Sequence, residues 1–264
     1  MEIKRYWQIF KQATANRFAF ATSDRLDFVA FVTGKLIRMA FFVVLAISLF
    51  QHTQSILGYS EGQVLMFFAI MNLIDVLVQA IWYRGLYGLK DFIRTGRFDQ
   101  FLVQPVSPLF KLVGMQVDLL DLVTIPFAVA FVAFAWSRLP VAPDPLTVIT
   151  ALLLFICSLL LAFSLNVCIA ALSFWTTETE SAWGLYRDSL YVARFPSEIF
   201  PTALRSVFTF GIPILAIVAF PTKELLGLAT PSMVPIAVCM TVAWLLVALS
   251  FWRFSLSHYT SASG

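Results

Sequence analysis

Long apolar runs separated by short polar stretches organise the whole chain. A transmembrane helix needs about 20 consecutive, mostly apolar residues. The apolar runs predict six such spans: residues 28–49, 63–83, 109–136, 146–175, 178–195 and 232–252. The fifth is the shortest and most polar of them, because Arg187 and Asp188 interrupt it. The pattern predicts an all-α polytopic membrane protein that forms a single transmembrane domain over residues 1–264.

Two further segments contain apolar residues but do not resemble a span. Residues 1–25 place aromatic and aliphatic side chains at helical spacing beside Lys and Arg, which predicts a helix lying in the membrane interface. Residues 196–230 carry an apolar run, residues 207–220, that prolines interrupt and enclose. A run this short is more typical of a re-entrant segment than of a crossing, so we expect a broken helical segment before the last span.

The stretch 84–108 is a basic interruption between two spans. Within it Leu89, Phe92 and Ile93 form one narrow apolar stripe on a helix that Gly96 should end. A short amphipathic helix at the end of a membrane bundle favours contact with a soluble partner. The alternative is a helix on the membrane surface whose cations meet anionic headgroups. The candidate contact residues are Leu89, Lys90, Phe92, Ile93, Arg94, Arg97, Phe98 and Asp99.

Composition and charge agree with a chain surrounded by lipid. The sequence is 60% hydrophobic and only 12% charged, whereas soluble domains carry roughly 25% charged residues. Its net charge of +3 is too small to suggest a nucleic-acid partner. Lys and Arg concentrate in residues 1–38 and 84–111 and at Arg253, so the positive-inside rule places both termini and the 84–108 stretch in the cytoplasm. The loop 176–181 should share that side, yet it contains no Lys or Arg.

The cysteines and histidines offer little chemistry. Cys157, Cys168 and Cys239 lie inside apolar runs without a Cys-x-x-Cys pairing, which is typical of core residues. His52 and His258 are isolated, which excludes most zinc sites and Ser-His-Asp arrangements. We therefore expect no metal site and no cofactor in this chain.

Polar residues inside the predicted spans need a physical reason, because a charge at a helix centre costs about 2.5–3.5 kcal/mol. One hypothesis is that they line a pathway or bind a cation or a basic substrate. The other is that Asp75 or Asp118 pairs with Arg38 or Arg187 and holds helices or subunits together. The candidates are Asn72, Asp75, Gln79, Asp118, Asp121 and Arg187.

Two enzyme signatures are missing from these residues. The sequence has no Gly-x-x-x-x-Gly-Lys-Ser/Thr loop to hold phosphates, so this chain is not expected to hydrolyse ATP alone. An intramembrane hydrolase built on Asp118 and Asp121 is disfavoured, because two carboxylates one turn apart on one helix seldom face each other across a substrate. No Gly-x-Gly-Asp signature supports it either.

Three features, in their order along the chain, resemble a permease subunit of the ABC-2 type, the membrane half of many ATP-driven bacterial exporters. The first is the amphipathic N-terminal helix. The second is the cytoplasmic helix that ends in the run Gly-x-Phe-Asp-x-x-Leu-x-x-Pro at residues 96–105. The third is the Pro-broken segment that begins with Phe-Pro-Ser-Glu-Ile-Phe-Pro at residues 195–201. The resemblance covers essentially the whole chain.

The resemblance implies a multi-pass protein of the bacterial cytoplasmic (inner) membrane that forms a pathway as a dimer, with itself or with a related permease. Two separate ABC ATPase subunits would carry ATP and Mg and dock on residues 84–108, the coupling helix. It also implies export of a hydrophobic or amphiphilic substrate, such as a drug, an antibiotic or a lipid-like molecule. The alternative is an ion-gradient-driven secondary transporter or channel, which would need broken helices in two paired repeats.

Overall fold

The computed structural model describes residues 25–260 except positions 52, 54, 115, 116 and 177. The predicted interfacial helix over residues 1–25 therefore lies outside the described residues, apart from position 25. In the described part every regular element is helical, so the predicted all-α class is confirmed. The α-helices are α1 (Arg25–Phe50), α2 (Glu61–Val78), α3 (Arg84–Tyr87), α4 (Leu89–Arg94), α5 (Asp99–Leu102), α6 (Pro108–Gly114), α7 (Leu119–Ser137), α8 (Pro145–Ala171), α9 (Glu180–Val192), α10 (Thr202–Ser206), α11 (Ile214–Leu225) and α12 (Met233–Ser257).

Five helical stretches of the described chain are long and apolar enough to cross a membrane, and a bent pair raises the number to six if it counts as one span. Four of the five agree with the predicted first, second, fourth and sixth spans. The second stretch is the longest, because a π-helical segment (Gln79–Tyr83) joins α2 to α3 and α4. The five stretches are Leu26–Phe50, Glu61–Arg94, Leu119–Ser137, Pro145–Phe174 and Met233–Ser257.

The predicted third span, residues 109–136, is divided in the structure. α6 ends at Gly114 and α7 begins only at Leu119, so the crossing helix has 19 residues. Asp118 causes the new start: its backbone is extended and its side chain accepts a hydrogen bond from the Leu120 N–H at 3.0 Å. An N-cap of this kind satisfies one of the free N–H groups of the first helical turn.

The predicted fifth span, residues 178–195, contains only the 13-residue helix α9. At 1.5 Å per residue this helix is about 20 Å long, which is less than the roughly 30 Å hydrocarbon core of a bilayer. The chain around it still joins the two ends of the bundle. Glu180 at its start bonds to Lys90, whereas Glu198 beyond its end accepts a hydrogen bond from the Tyr59 hydroxyl at 3.1 Å. Tyr59 lies two residues before the 34-residue stretch Glu61–Arg94, and Lys90 lies near the other end of that stretch.

The segment before the last span is broken, as its prolines predict. The helical stretch Thr202–Gly211 meets α11 at an angle of 93°. Lys223 near the end of α11 contacts Glu198, which precedes α10, and donates to the Ser197 hydroxyl at 3.1 Å. The bent pair therefore starts and finishes at the same end of the bundle. A pair bent in this way is a broken span or a re-entrant segment, and the re-entrant, extracytoplasmic character of residues 196–230 stays a prediction.

The core of the bundle is formed by two sets of packed helices. α8 packs along both α11 and α12, and α2 packs along α7. The first helix is different, because the most apolar 18-residue window of Leu26–Phe50 contains no buried residue. Apolar contacts attach its second half, where Ala46 is buried and the Phe42 ring packs on Phe68. Lys35 and Arg38 add polar contacts, which belong to the candidate site.

Candidate functional site

The basic stretch 84–108 folds into several short helices at one end of the bundle. α4 carries the predicted apolar stripe and ends at Arg94 with Thr95 as its C-cap. Gly96 follows with a φ of +69°, in the left-handed region that favours glycine. The predicted end of this helix at Gly96 is therefore confirmed.

The apolar stripe of α4 packs against the chain's own bundle, which corrects the predicted partner contact of Leu89. Leu89 and Phe98 have no exposed surface, and Phe92 and Ile93 pack against the same core. The Phe98 ring contacts the rings of Phe174 and Tyr259 at centroid distances of 5.4 and 5.1 Å. Leu89 and Phe98 are therefore covered by the bundle, whereas Phe92 and Ile93 keep part of their surface exposed, and their contact with a partner stays a prediction.

The half-buried Asp91 and the exposed Arg94 form the outer surface of α4, whereas Lys90 is buried. The Lys90 ammonium bonds to Glu180 and lies 4.7 Å from the centroid of the Tyr87 ring. Arg94 is exposed and pairs with Asp91 at 3.2 Å. The candidate residues Lys90 and Arg94 are therefore both engaged within the chain, and α4 is joined to the start of α9.

Two further candidates, Arg97 and Asp99, lie on the turn after α4. The exposed Arg97 side chain donates to the Thr95 hydroxyl at 3.2 Å and lies over the Phe92 ring. Asp99 accepts a hydrogen bond from the Tyr259 hydroxyl at 2.9 Å. Burial, together with this carboxylate, raises the pKa of the Tyr259 phenol to about 12. The phenol is therefore protonated at neutral pH and keeps the chain after α12 against the α5 turn.

An open cavity of about 590 Å³ lies between α4 and the loop that leads into α9. Its polar wall contains three carboxylates and two cations. The two glutamates of this wall, Glu178 and Glu180, are absent from the predicted site residues. The only sequence signal for them is that the loop 176–181 is acidic and lacks Lys and Arg on the predicted cytoplasmic side. The lining residues are Tyr87, Lys90, Asp91, Arg94, Glu178, Glu180 and Ser181.

The candidate carboxylates of the spans are engaged in ion pairs. Asp75 is buried and pairs with Arg38 at 3.3 Å, which confirms the predicted pairing of these two residues. The same guanidinium donates to the Tyr191 hydroxyl at 2.9 Å. Asp121, also buried, pairs with Lys35. Three helices are linked by these contacts, because Lys35 and Arg38 lie on α1 and their acidic partners on α7 and α2.

Asp118 has a different place from the one predicted. It pairs with Arg84 at 2.8 Å and caps α7, so it does not share one helical face with Asp121. Its partner is neither Arg38 nor Arg187, and Arg187 itself is exposed on α9. This geometry links the end of the second helical stretch to the start of the third.

The remaining polar candidates are half-buried. Asn72 lines small pockets beside Arg38 and Asp75, and Gln79 begins the π-helical segment. No group of three or more His, Cys, Asp or Glu side chains in the described part of the chain is placed to hold a metal ion. The structure thus brings Asn72, Asp75, Arg38 and Tyr191 together but leaves Arg187 outside this cluster.

Comparison with known proteins gives one result. A family model described as "ABC-2 family transporter protein" matches residues 36–263, which is well over half of the chain. The chain matches no curated protein and no solved structure at a significant level. The matched range includes α4, the cavity beside it and the bent pair of helices.

Proposed function

The chain belongs to the ABC-2 transporter family, and we propose that it forms the substrate pathway of an ATP-driven exporter as one half of a permease dimer. Family membership makes it a membrane subunit that works with ABC ATPase subunits. The proposal adds that two such ATPases carry ATP and Mg²⁺ and dock on the α4 end of the bundle. The cargo is a hydrophobic or amphiphilic molecule.

The observation that carries this proposal is the polar, concave surface at α4. Lys90, Arg94 and Glu180 border an open cavity, while the apolar side of α4 is fixed in the core. Because Glu61–Arg94 is one helical stretch and Lys90 bonds to Glu180, a force applied to α4 reaches both α2 and α9. A rigid connection of this kind suits the transfer of ATPase closure to the spans.

Charge supports the sidedness of the proposal. The α4 end holds the basic stretch 84–108, and a cytoplasmic location for it follows from the positive-inside rule. Lys35 near the start of α1 bonds to Asp121 at the start of α7, and Tyr259 after α12 bonds to Asp99. Both ends of the described chain therefore lie on the α4 side. We propose that this side faces the cytoplasm of a bacterial cell and that both termini lie there.

The test is reconstitution of the purified chain in lipid vesicles with the ABC ATPase that copurifies with it. Uptake of a fluorescent amphiphile should require ATP and should persist when ionophores remove ion gradients. Arg94→Glu should abolish ATPase binding and ATP-driven uptake without loss of membrane insertion. Arg138→Glu is the matched control, because Arg138 is exposed after α7 at the opposite end of the bundle.

Two results would contradict the proposal. Unchanged ATPase copurification and turnover in the Arg94 variant would remove α4 from the docking surface. Uptake that is independent of ATP and abolished by ionophores would instead support an ion-gradient-driven transporter.

A further inference from the structure

We infer that the cavity beside α4 receives a basic side chain, Lys or Arg, of the ATPase subunit, with Glu178 as its counter-ion. The inference rests on the proposed function, because it requires the ATPase at this end of the bundle. Beyond the proposed function, it specifies that the contact is an ion pair and that Glu178, on the loop before α9, takes part in it.

The charges that line the cavity do not balance. Of its two cations, Lys90 is paired with Glu180 and Arg94 is paired with Asp91. Glu178 is the third carboxylate, is exposed, and has no salt-bridge partner among the described residues. One net negative charge is therefore left at the mouth of the cavity, and a single cation from outside would neutralise it.

The cavity is large enough to admit a protein side chain. It is open, and its volume of about 590 Å³ exceeds that of one Lys or Arg side chain. Tyr87 forms one wall, and its ring already lies near the Lys90 ammonium. An aromatic wall attracts cations through the negative face of its π system, so the lining selects a basic side chain over an acidic one.

The composition of the loop 176–181 argues that it faces protein and not lipid. A cytoplasmic loop near anionic headgroups usually carries Lys or Arg. This loop has Glu178 and Glu180 and no cation, so the membrane surface would repel it. A basic protein surface would attract it, which accounts for the discordant charge of the loop under the proposed orientation.

The loop is also held in place before any partner binds. Thr179 is buried, and its hydroxyl lies 3.5 Å from that of the buried Ser173. The Glu178 N–H donates to the Thr176 hydroxyl at 3.1 Å. These contacts anchor Glu178 and Thr179 to described parts of the chain, so less ordering is needed for the carboxylate to meet a cation.

The experiment measures the affinity of the reconstituted permease for its ATPase at low and high salt. Glu178→Lys should weaken binding roughly tenfold and Glu178→Gln roughly threefold, because the first adds repulsion to the lost attraction. Both variants should show a smaller loss of affinity with added salt than the wild-type protein does. Gln51→Lys, exposed just after α1 at the opposite end of the bundle, adds the same charge as Glu178→Gln and should leave affinity unchanged.

A photo-crosslinking amino acid at position 178 should capture the ATPase beside a Lys or Arg. Changing the crosslinked Lys or Arg of the ATPase to Glu should restore the affinity that the Glu178→Lys permease has lost. Wild-type affinity and salt dependence in a correctly folded Glu178→Lys protein would overturn the inference and leave the proposed function intact. A wild-type chain that binds no ATPase would overturn the proposed function itself.

Discussion

Two parts of the bundle are held together by different physical means. α8 packs along α11 and α12 mainly through a cluster of apolar side chains, several of them small, and the Thr150 hydroxyl adds a hydrogen bond to Glu224 on α11. The first half of α1 lies in a window without a buried residue and is joined to its neighbours by Lys35 and Arg38. Ala46 and Phe42, in contrast, pack its second half on the core. The members of the apolar cluster are Leu154, Ala216, Phe220 and Ala237.

The comparison shows what the intramembrane charges do. Lipid tails are as apolar as leucine, so burying apolar surface gives little drive for helices to associate in a membrane. A helix that lacks close packing therefore needs polar contacts to stay in place. Lys35 and Arg38 lie one turn apart and reach Asp121 and Asp75 on two different helices, which fixes both the position and the rotation of α1.

The largest effect is expected where the partner of a buried carboxylate is left unpaired. Asp75→Leu removes the carboxylate from the Arg38 guanidinium and should lower the free energy of unfolding by about 3 kcal/mol. This value is the low end for a buried pair, because the Arg38 side chain is 34% exposed. The double variant Arg38→Met with Asp75→Leu removes both charges and should recover most of that loss. Steric trapping of the unfolded state in bilayer discs measures both values. Equal losses in the single and double variants would contradict the attachment role of the pair.

A smaller effect is expected in the apolar part of the bundle. Leu154→Ala removes a fully buried side chain from α8. It should lower the free energy of unfolding by about 2 kcal/mol, the low end for such cavities. The loss is small because lipid solvates a leucine side chain of the unfolded state almost as well as the protein core does. Leu152→Ala is the matched control on the same helix, since Leu152 is 58% exposed. It should change the free energy of unfolding by less than about 0.5 kcal/mol. Similar losses in both variants would mean that α8 is not packed on α11 and α12 as described.

Much of the fold could be predicted from sequence because bilayer thickness sets the length of an apolar run. Such runs do not show where a polar side chain starts a new helix. The predicted third span, residues 109–136, is therefore longer than the helix that begins after the Asp118 cap. An amphipathic stripe likewise shows that one face is covered but not by what. For that reason the sequence predicts that Phe98 contacts a partner, whereas the chain's own bundle covers this side chain.

The candidate site was predicted only where its contacts are chemically obvious. Asp75 and Arg38 are both costly to leave alone in a span, so their pairing could be foreseen. The contact between Lys90 and Glu180 joins residues that are 90 positions apart, and no local pattern records it. The two carboxylates of the cavity therefore became visible only once the fold placed the loop 176–181 beside α4.

The smallest effect is expected from adding a methyl group at two glycines, one in closely packed α2 and one in loosely packed α1. A Cβ at Gly62, in the first turn of α2, would lie 2.0 Å from the Arg138 carbonyl oxygen. Gly62→Ala should lower the free energy of unfolding by about 1–2 kcal/mol, because the backbone shift outweighs the better helix propensity of alanine. A Cβ at Gly34 of α1 would meet no atom within 4 Å. Gly34→Ala should therefore be neutral or stabilise the protein by up to about 1 kcal/mol, and a loss there as large as at Gly62 would show that α1 is closely packed after all.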